Sequence, residues 1–238
     1  MFNLFNNKLN ILYSIDVSEH MAKKKTETPP DIIGAYMNYV LENGSRPKSV
    51  YSFAQELGIK ESAFYDQFGS FEAIEKRIFK AFFDNTKMLL DKNKEFQSFD
   101  AQNKLLSFYF TFFEVLKANR SYVVYALEQE KNKLKVLSVL SELKKSFQIF
   151  IDEIGIETID FKEEKMEKLK NKGLSEWTWG QLLFTIKFWL EDDSVGFEKT
   201  DVLIEKSITT GFALLDSSTL KSVFDLGKFL FKEKVMTN

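Results

Sequence analysis

The sequence predicts an all-α protein, and three observations support this fold class. Apolar residues recur at intervals of three and four along most of the chain, which is the period of a helix face. No alternating, strand-like pattern extends beyond a few residues. The 238 residues include only 3 prolines and 10 glycines, a composition that suits long helices joined by short connections. A hydrophobic content of 44% is enough for a core in one large or two small domains.

The beginning of the chain differs from the rest. Residues 1–28 are expected to form a disordered tail. The apolar run within residues 1–20 is interrupted by Asn and Lys, which makes it a poor secretory signal. Met21 is a candidate natural start of the protein. After it, Lys23, Lys24 and Lys25 form a short basic arm.

A head of short helices is predicted over residues 29–84. The first helix covers residues 31–42, and Ser49 is a suitable N-cap for the second. The second helix has a single apolar stripe, formed by Val50, Phe53, Ala54 and Leu57.

The next turn completes a helix-turn-helix pattern. Gly58 ends the second helix where a left-handed backbone is needed, which glycine adopts without the steric cost of a Cβ. In the short third helix, Phe64 and Phe68 point inward and Tyr65 points outward. A fourth helix follows the N-cap Ser70, with the apolar stripe Ile74, Ile78 and Phe82. Such a bihelical unit commonly places its second helix in the major groove of DNA.

Residues 85–238 are predicted to form a second helical domain. Its predicted helices cover residues 103–118, 121–131, 133–154, 175–191, 199–216 and 218–234. The first of these is apolar on more than one face, which is typical of a helix buried within a bundle. Residues 162–172 are mixed in charge and are expected to be exposed.

Composition argues against several classes of site. There is no cysteine, which excludes disulfides and thiolate metal sites. The only histidine, His20, has no neighbouring metal ligands, and no phosphate-binding glycine loop is present. We therefore expect no metal, no cofactor and no enzymatic activity. No apolar run is long enough to span a membrane, and we expect a cytoplasmic protein.

The head resembles a known family. Gly58-Ile59, Phe64-Tyr65, Phe68, Ser70 and Glu72 resemble the TetR family of bacterial repressors, whose recognition helix ends in Leu/Phe-Tyr-x-x-Phe and whose next helix opens Ser-Lys-Glu. The resemblance covers residues 32–83; the alternative is an unrelated helical bundle with a glycine turn. It implies a TetR-like fold, in which a helix-turn-helix head precedes a bundle that binds a ligand and forms a homodimer. The implied function is a ligand-responsive repressor that binds a double-stranded DNA operator.

The candidate DNA contacts lie in the arm and the head. They are Lys23, Lys24, Lys25, Ser49, Lys60, Ser62, Tyr65 and Gln67. Ser49, Tyr65 and Gln67 match positions that contact phosphates or bases in the family. The three arm lysines either follow the phosphates, as arms do in other helix-turn-helix proteins, or form a solvated terminus.

The charge of the head favours weak DNA binding. Residues 31–84 contain six cations and eight anions, whereas phosphate neutralisation supplies most of the affinity for DNA. The predicted recognition helix, residues 60–68, contains one cation, Lys60, and two anions, Glu61 and Asp66. Phe71 stands where the family usually has a phosphate-contacting lysine. Phe71→Lys together with Asp66→Asn is therefore predicted to tighten non-specific binding.

A second resemblance lies near the C-terminus. Residues 188–208 are similar to the signature of the TetR-fold lipid-binding proteins of ubiquinone biosynthesis. The matching residues are Trp189, Leu190, Asp193, Ser194, Phe197, Thr200 and Leu203. Those proteins hold an isoprenoid and have lost DNA binding, so the alternative function is a lipid-binding or isoprenoid-binding protein with weak or no DNA binding. The other interpretation is a helix–loop–helix packing corner capped by Ser194 or Thr200.

Both resemblances imply a ligand within the C-terminal bundle and a dimer interface formed by residues 175–191 and 199–216. The candidate ligand contacts are Phe108, Phe112, Tyr122, Tyr125, Phe147, Phe150, Phe184 and Phe188. For each of them taken singly, core packing is the simpler explanation. The near absence of charge along residues 107–113 favours a small apolar or aromatic ligand.

Overall fold

The computed structural model describes residues 31–128, 133–156 and 164–215, with the backbone alone for residues 133 and 164–172. Within these ranges the chain forms helices and contains no β-strand, which confirms the predicted all-α fold class. The helices are α1 (Ile32–Asn43), α2 (Val50–Glu56), α3 (Glu61–Tyr65), α4 (Phe71–Asp91), α5 (Ala101–Ala118), α6 (Arg120–Glu128), α7 (Lys133–Val139), α8 (Ser141–Ile154), α9 (Glu164–Glu191) and α10 (Glu198–Leu215). Short 3₁₀ turns cover Phe96–Ser98 and Val195–Phe197.

The helix-turn-helix is formed by α2, the turn at Gly58 and α3. Ser49 Oγ accepts a hydrogen bond from the backbone N–H of Ser52 (3.1 Å), and Ser52 Oγ accepts one from the backbone N–H of Ser49 (3.3 Å). This reciprocal capping box starts α2 and confirms Ser49 as its N-cap. Gly58 ends the segment with φ of +67°, as predicted. The third helix is shorter than predicted, because its helical residues end at Tyr65.

An aromatic core around Phe53 holds the head together. The Phe53 ring, which is 1% exposed, makes edge contacts with Tyr36, Phe64 and Phe71 at centroid distances of 6.1, 6.3 and 5.8 Å. Phe71 also stacks on Tyr36, with centroids 5.5 Å apart and ring planes inclined by 22°. Phe71, which stands where the family has a phosphate-contacting lysine, is half-buried and turns its ring toward these neighbours. Its ring belongs to the core of the head, so a lysine at this position would remove core contacts.

Helix α4 belongs to the head and to the bundle at once. It begins at the N-cap Ser70, and its predicted stripe of Ile74, Ile78 and Phe82 is buried. The helix continues past residue 84, where the predicted boundary between domains falls, and ends at Asp91. In the bundle it packs against α5, α7 and α8. One continuous helix therefore links the head to the bundle.

Two other predicted helices differ from the observed ones. Residues 133–154 form two helices, because the backbone of the buried Leu140 leaves the helical region at φ −83° and ψ 3°. Helix α9 begins at Glu164, well before the predicted residue 175, since the charged segment is rich in Glu, Lys, Met and Leu, which are strong helix formers. The predicted tail, residues 1–28, and the predicted helix over residues 218–234 lie outside the described residues. In the part of the chain that the structure describes, no helix is long and apolar enough to cross a membrane.

Candidate functional site

The helix-turn-helix presents its predicted DNA contacts to solvent. Five side chains on this motif are exposed, namely Ser49, Lys60, Ser62, Tyr65 and Gln67. Tyr65 is 53% exposed, and its ring rests edge-on against the buried Phe64 at a centroid distance of 5.5 Å. The remaining predicted contacts, Lys23, Lys24 and Lys25, lie outside the described residues. The motif therefore combines a buried aromatic support with a polar, accessible outer surface.

A partly buried ion pair ties the turn after α1 to α4. The carboxylate of Glu75, a residue that is 5% exposed, accepts hydrogen bonds from Arg46 Nε (2.7 Å) and from the hydroxyl of Tyr36 (2.7 Å), and its second oxygen pairs with Arg46 Nη2. Arg46 also pairs with Glu72. Burial opposes the charge on Arg46, but its hydrogen bond to Glu75 and the attraction of that carboxylate raise the pKa of the guanidinium. Burial, followed by the bond to Glu75, also raises the pKa of Tyr36.

These contacts reduce the positive charge that the head can offer to phosphates. Arg46 is committed to two carboxylates, Lys80 pairs with Asp84, and Arg77 pairs with Glu142. Half of the six cations in residues 31–84 are therefore paired with carboxylates of the protein itself. Beside Tyr65, Glu61 and Asp66 are both exposed. The acidity inferred from the sequence thus extends to the exposed surface around α3.

Four of the predicted ligand contacts form one aromatic cluster between α5 and α8. Phe108 stacks on Phe112 with centroids 5.4 Å apart, and lies 5.4 Å from Phe147 and 4.8 Å from Phe150. Each of the four residues is at most 1% exposed. In this structure the rings contact one another, as expected of core packing.

The other four predicted ligand contacts occupy different environments. Tyr122 is 1% exposed, while Tyr125 and Phe188 are half-buried. Phe184 is 57% exposed on α9, so it does not line an enclosed site in this chain. Helix α9 turns that face toward solvent, and a ligand contact at Phe184 stays a prediction.

The segment between α9 and α10 is a hydrogen-bonded corner. Asp192, which is 6% exposed, accepts bonds from the N–H (2.9 Å) and hydroxyl (2.6 Å) of Ser194 and from the N–H (2.9 Å) and hydroxyl (2.7 Å) of Thr200. Ser194 Oγ accepts the N–H of Lys199 at 3.1 Å. These bonds satisfy N–H groups in the first turn of α10 and confirm the predicted packing corner. Burial acts to raise the pKa of Asp192, but the bonds from Ser194 and Thr200 outweigh it and lower that pKa to about 2.

The corner depends on two residues that sequence reasoning missed. The matched residue Asp193 is exposed and pairs with Lys199 at 2.6 Å, so the buried carboxylate of the corner is its neighbour Asp192. The Asp-x-Ser spacing from Asp192 to Ser194 is typical of an Asx turn and could have indicated that Asp192 is the capping carboxylate. Arg120 donates to the backbone oxygens of Trp189 (3.2 Å) and Leu190 (3.0 Å). These partners are 69 and 70 residues away in the chain, so no local pattern indicates them.

Arg120 also fixes the aromatic side of the corner. Its guanidinium carbon lies 4.4 Å from the centre of the Trp189 ring and 4.7 Å from that of Phe197. Trp189 is 1% exposed and contacts Phe113 of α5 at a centroid distance of 6.0 Å. The signature segment therefore joins α9, α10 and the α5–α6 junction. Among the described residues, no group of three or more His, Asp or Glu side chains is placed to hold a metal ion.

Comparison with known proteins agrees with this architecture. A family model described as "Tetracyclin repressor-like, C-terminal domain" matches residues 104–230, which is more than half of the chain. The matched range includes the helices of the bundle from most of α5 through α10. Among curated proteins the comparison found no match. The chain therefore belongs to the TetR family.

Proposed function

We propose that this protein is a transcriptional regulator that binds an operator in double-stranded DNA as a homodimer and responds to an apolar or aromatic ligand. The observation that carries the proposal is the exposed set of polar side chains on a capped helix-turn-helix. Members of the TetR family are regulators, and an enzymatic role has no support in the residues described. The regulator acts as a repressor in the simplest form of the proposal, in which ligand binding releases the operator.

The geometry of the head supports DNA binding by α3. Phe64 is 0% exposed and anchors this helix, while Tyr65 and Gln67 remain accessible. The capping box at Ser49 fixes the start of α2, the helix that supports α3 across the Gly58 turn. A rigid support matters because base and phosphate contacts require side chains at fixed distances from the duplex.

Exposed apolar side chains on α9 and α10 support the proposed dimer. Trp177 is 49% exposed, Phe184 57% and Val202 48%. Trp177 and Phe184 lie two turns apart on one face of α9, and large apolar groups exposed side by side often mark an interaction surface. A homodimer that buries these faces would also place two heads for binding a palindromic operator, as in other helix-turn-helix dimers.

A second candidate function is binding of a lipid or isoprenoid with weak or no affinity for DNA. One observation favours it: Arg46, Arg77 and Lys80 are paired with carboxylates, so the head has few free cations for phosphates. The exposed Glu61 and Asp66 beside the recognition helix add repulsion. In this candidate the head is retained as a structural element.

Selection of bound duplexes from a random pool at low salt separates the two candidates. We expect the full chain to enrich one palindromic sequence, and Tyr65→Ala to weaken binding to that sequence by about 1–3 kcal/mol, the scale of one good contact. Lys60→Ala should lower the salt slope by about one unit, as loss of one phosphate contact requires. Lys187→Ala, which removes an exposed cation of α9 in the bundle, is the matched control and should leave the slope unchanged. Failure to enrich any sequence would favour the lipid-binding candidate.

A further inference from the structure

The hydroxyl of Tyr122 is buried without a hydrogen-bond partner. Tyr122 lies on α6, is 1% exposed, and its hydroxyl oxygen contacts no donor or acceptor among the described residues. Its ring lies against Phe79 and Phe82 of α4, at centroid distances of 6.3 and 6.5 Å, and near Tyr125 at 6.3 Å. A buried polar group without a partner is costly and uncommon in native proteins, so this hydroxyl requires an explanation.

The carboxylate of Glu75 acts on Tyr122 through its negative charge. Glu75 precedes Phe79 by one turn of α4, so it is a neighbour on that helix of the rings that contact Tyr122. Its Oε1 atom already accepts from Tyr36 and Arg46, and its Oε2 atom accepts from Arg46. These bonds connect the carboxylate to the head, and none of them reaches Tyr122.

The surroundings of Tyr122 determine what its hydroxyl can bind. Burial and then the negative charge of Glu75 raise the pKa of Tyr122, and the same two causes raise that of Tyr125. The Tyr122 hydroxyl is therefore protonated at neutral pH and can donate a hydrogen bond. The charge of Glu75 disfavours an anionic acceptor nearby, and the surrounding rings favour an apolar body.

We propose that the Tyr122 hydroxyl is the polar anchor for the ligand of the bundle, which is a neutral and otherwise apolar molecule that carries one hydrogen-bond acceptor, such as a hydroxyl or a ketone or ester carbonyl. The inference rests on the proposed function, since it names the chemical class of the regulatory ligand. A molecule held at Tyr122 contacts the face of α4 that carries Phe79 and Phe82. It therefore acts on the helix that also carries Glu75 and the head. The alternative is that a buried water molecule accepts the hydrogen bond of the Tyr122 hydroxyl.

Two buried tyrosines allow a matched test of the unpaired hydroxyl. Tyr109 is 0% exposed, and its hydroxyl donates to Gln181 Oε1 at 2.8 Å. Tyr109→Phe should lower the thermal midpoint of the full chain, because it leaves Gln181 without its donor. Tyr122→Phe should leave the midpoint unchanged or raise it, because the lost hydroxyl has no partner in the free protein.

Ligand class is tested by titrating three naphthalenes that differ at one substituent. We expect 2-naphthol to bind the wild type and Tyr109→Phe more tightly than 2-methylnaphthalene does, by about tenfold for one buried hydrogen bond, and 2-naphthoate to bind weakly. Tyr122→Phe should abolish the advantage of 2-naphthol while still binding 2-methylnaphthalene. An advantage that persists in Tyr122→Phe would overturn the proposal.

A buried water predicts a different pattern. In that case Tyr122→Phe lowers the thermal midpoint as Tyr109→Phe does, and none of the three probes shifts it; this result also overturns the proposal. The titrations contain no DNA, and operator selection uses the protein without added ligand. If the wild type binds 2-naphthol no more tightly than 2-methylnaphthalene, the ligand class alone is refuted. Failure of operator selection would refute DNA regulation alone.

Discussion

The corner between α9 and α10 allows a sharp test of how the bundle is held together. Asp192→Asn keeps the size of the side chain but replaces one carboxylate oxygen by an NH₂ group. That group faces donors, so at least one N–H of Ser194 or Thr200 loses its acceptor. An unpaired buried donor costs about 1–3 kcal/mol, and loss of a helix N-cap typically costs about 1 kcal/mol. We therefore expect the free energy of unfolding at neutral pH to fall by about 2–3 kcal/mol.

The stability lost in Asp192→Asn should depend on pH and become smaller as the pH falls. The pKa of Asp192 is lowered from its ordinary value of 3.8 to about 2 by its hydrogen bonds, which outweigh its burial. A carboxylate with a depressed pKa stabilises the folded state fully above its unfolded pKa, and this contribution is lost as the pH falls through the folded value. The difference in stability between wild type and Asp192→Asn should therefore be constant from neutral pH down to about 5 and decrease between about 4 and 2.

Urea unfolding followed by far-UV circular dichroism measures this difference at each pH. The slope against urea should be unchanged, because the substitution does not alter the surface exposed on unfolding. Asp193→Asn is the matched control: Asp193 is the exposed neighbour that pairs with Lys199, and its loss should have little effect. The reasoning fails if both variants lose the same stability, or if the loss in Asp192→Asn is the same at pH 7 and pH 3.

Two further substitutions test the head and the corner. Phe71→Lys should destabilise the protein by about 2–3 kcal/mol in urea unfolding, since it removes the ring stacked on Tyr36 and a half-buried apolar surface. If stability were unchanged and DNA binding became tighter and more salt-dependent, the position would face phosphates instead. Arg120→Lys should cost about 1–2 kcal/mol by the same assay, because an ammonium cannot reproduce the planar fork that bonds two carbonyls while stacking near Trp189 and Phe197. If Arg120→Lys kept the full stability of the wild type, a positive charge alone would be sufficient at position 120 to hold the corner.

Local patterns predicted the helices whose signals lie close together in the chain. Ser49, Gly58 and Ser70 act as predicted because a cap or a left-handed turn involves residues only a few positions away. The break at Leu140 and the early start of α9 were missed. The break at Leu140 has no local signal, because apolar residues keep the helix period across it. The early start of α9 lies in a charged segment, and charge alone does not distinguish an exposed helix from a loop.

Part of the candidate site was also predictable from local patterns. Tyr65 was expected to point outward from the period of α3, and it does. Phe184 was expected to line a pocket, but helical period does not say which face of α9 meets a neighbour. Whether Tyr122 has a partner depends on α4, which lies far from α6 in sequence.

The sequence by itself determined the all-α class, the helix-turn-helix and its caps, because each depends on steric and hydrogen-bonding preferences within one or two turns. Only the tertiary structure decided the environment of the charged and aromatic side chains. Phe71 packs inward although its place in the motif suggested DNA, and the carboxylate buried in the corner is Asp192 and not Asp193. Arg46 is neutralised by Glu75, 29 residues away. Burial and pairing at such separations depend on how helices pack, and a free charge and a paired one are identical in the sequence.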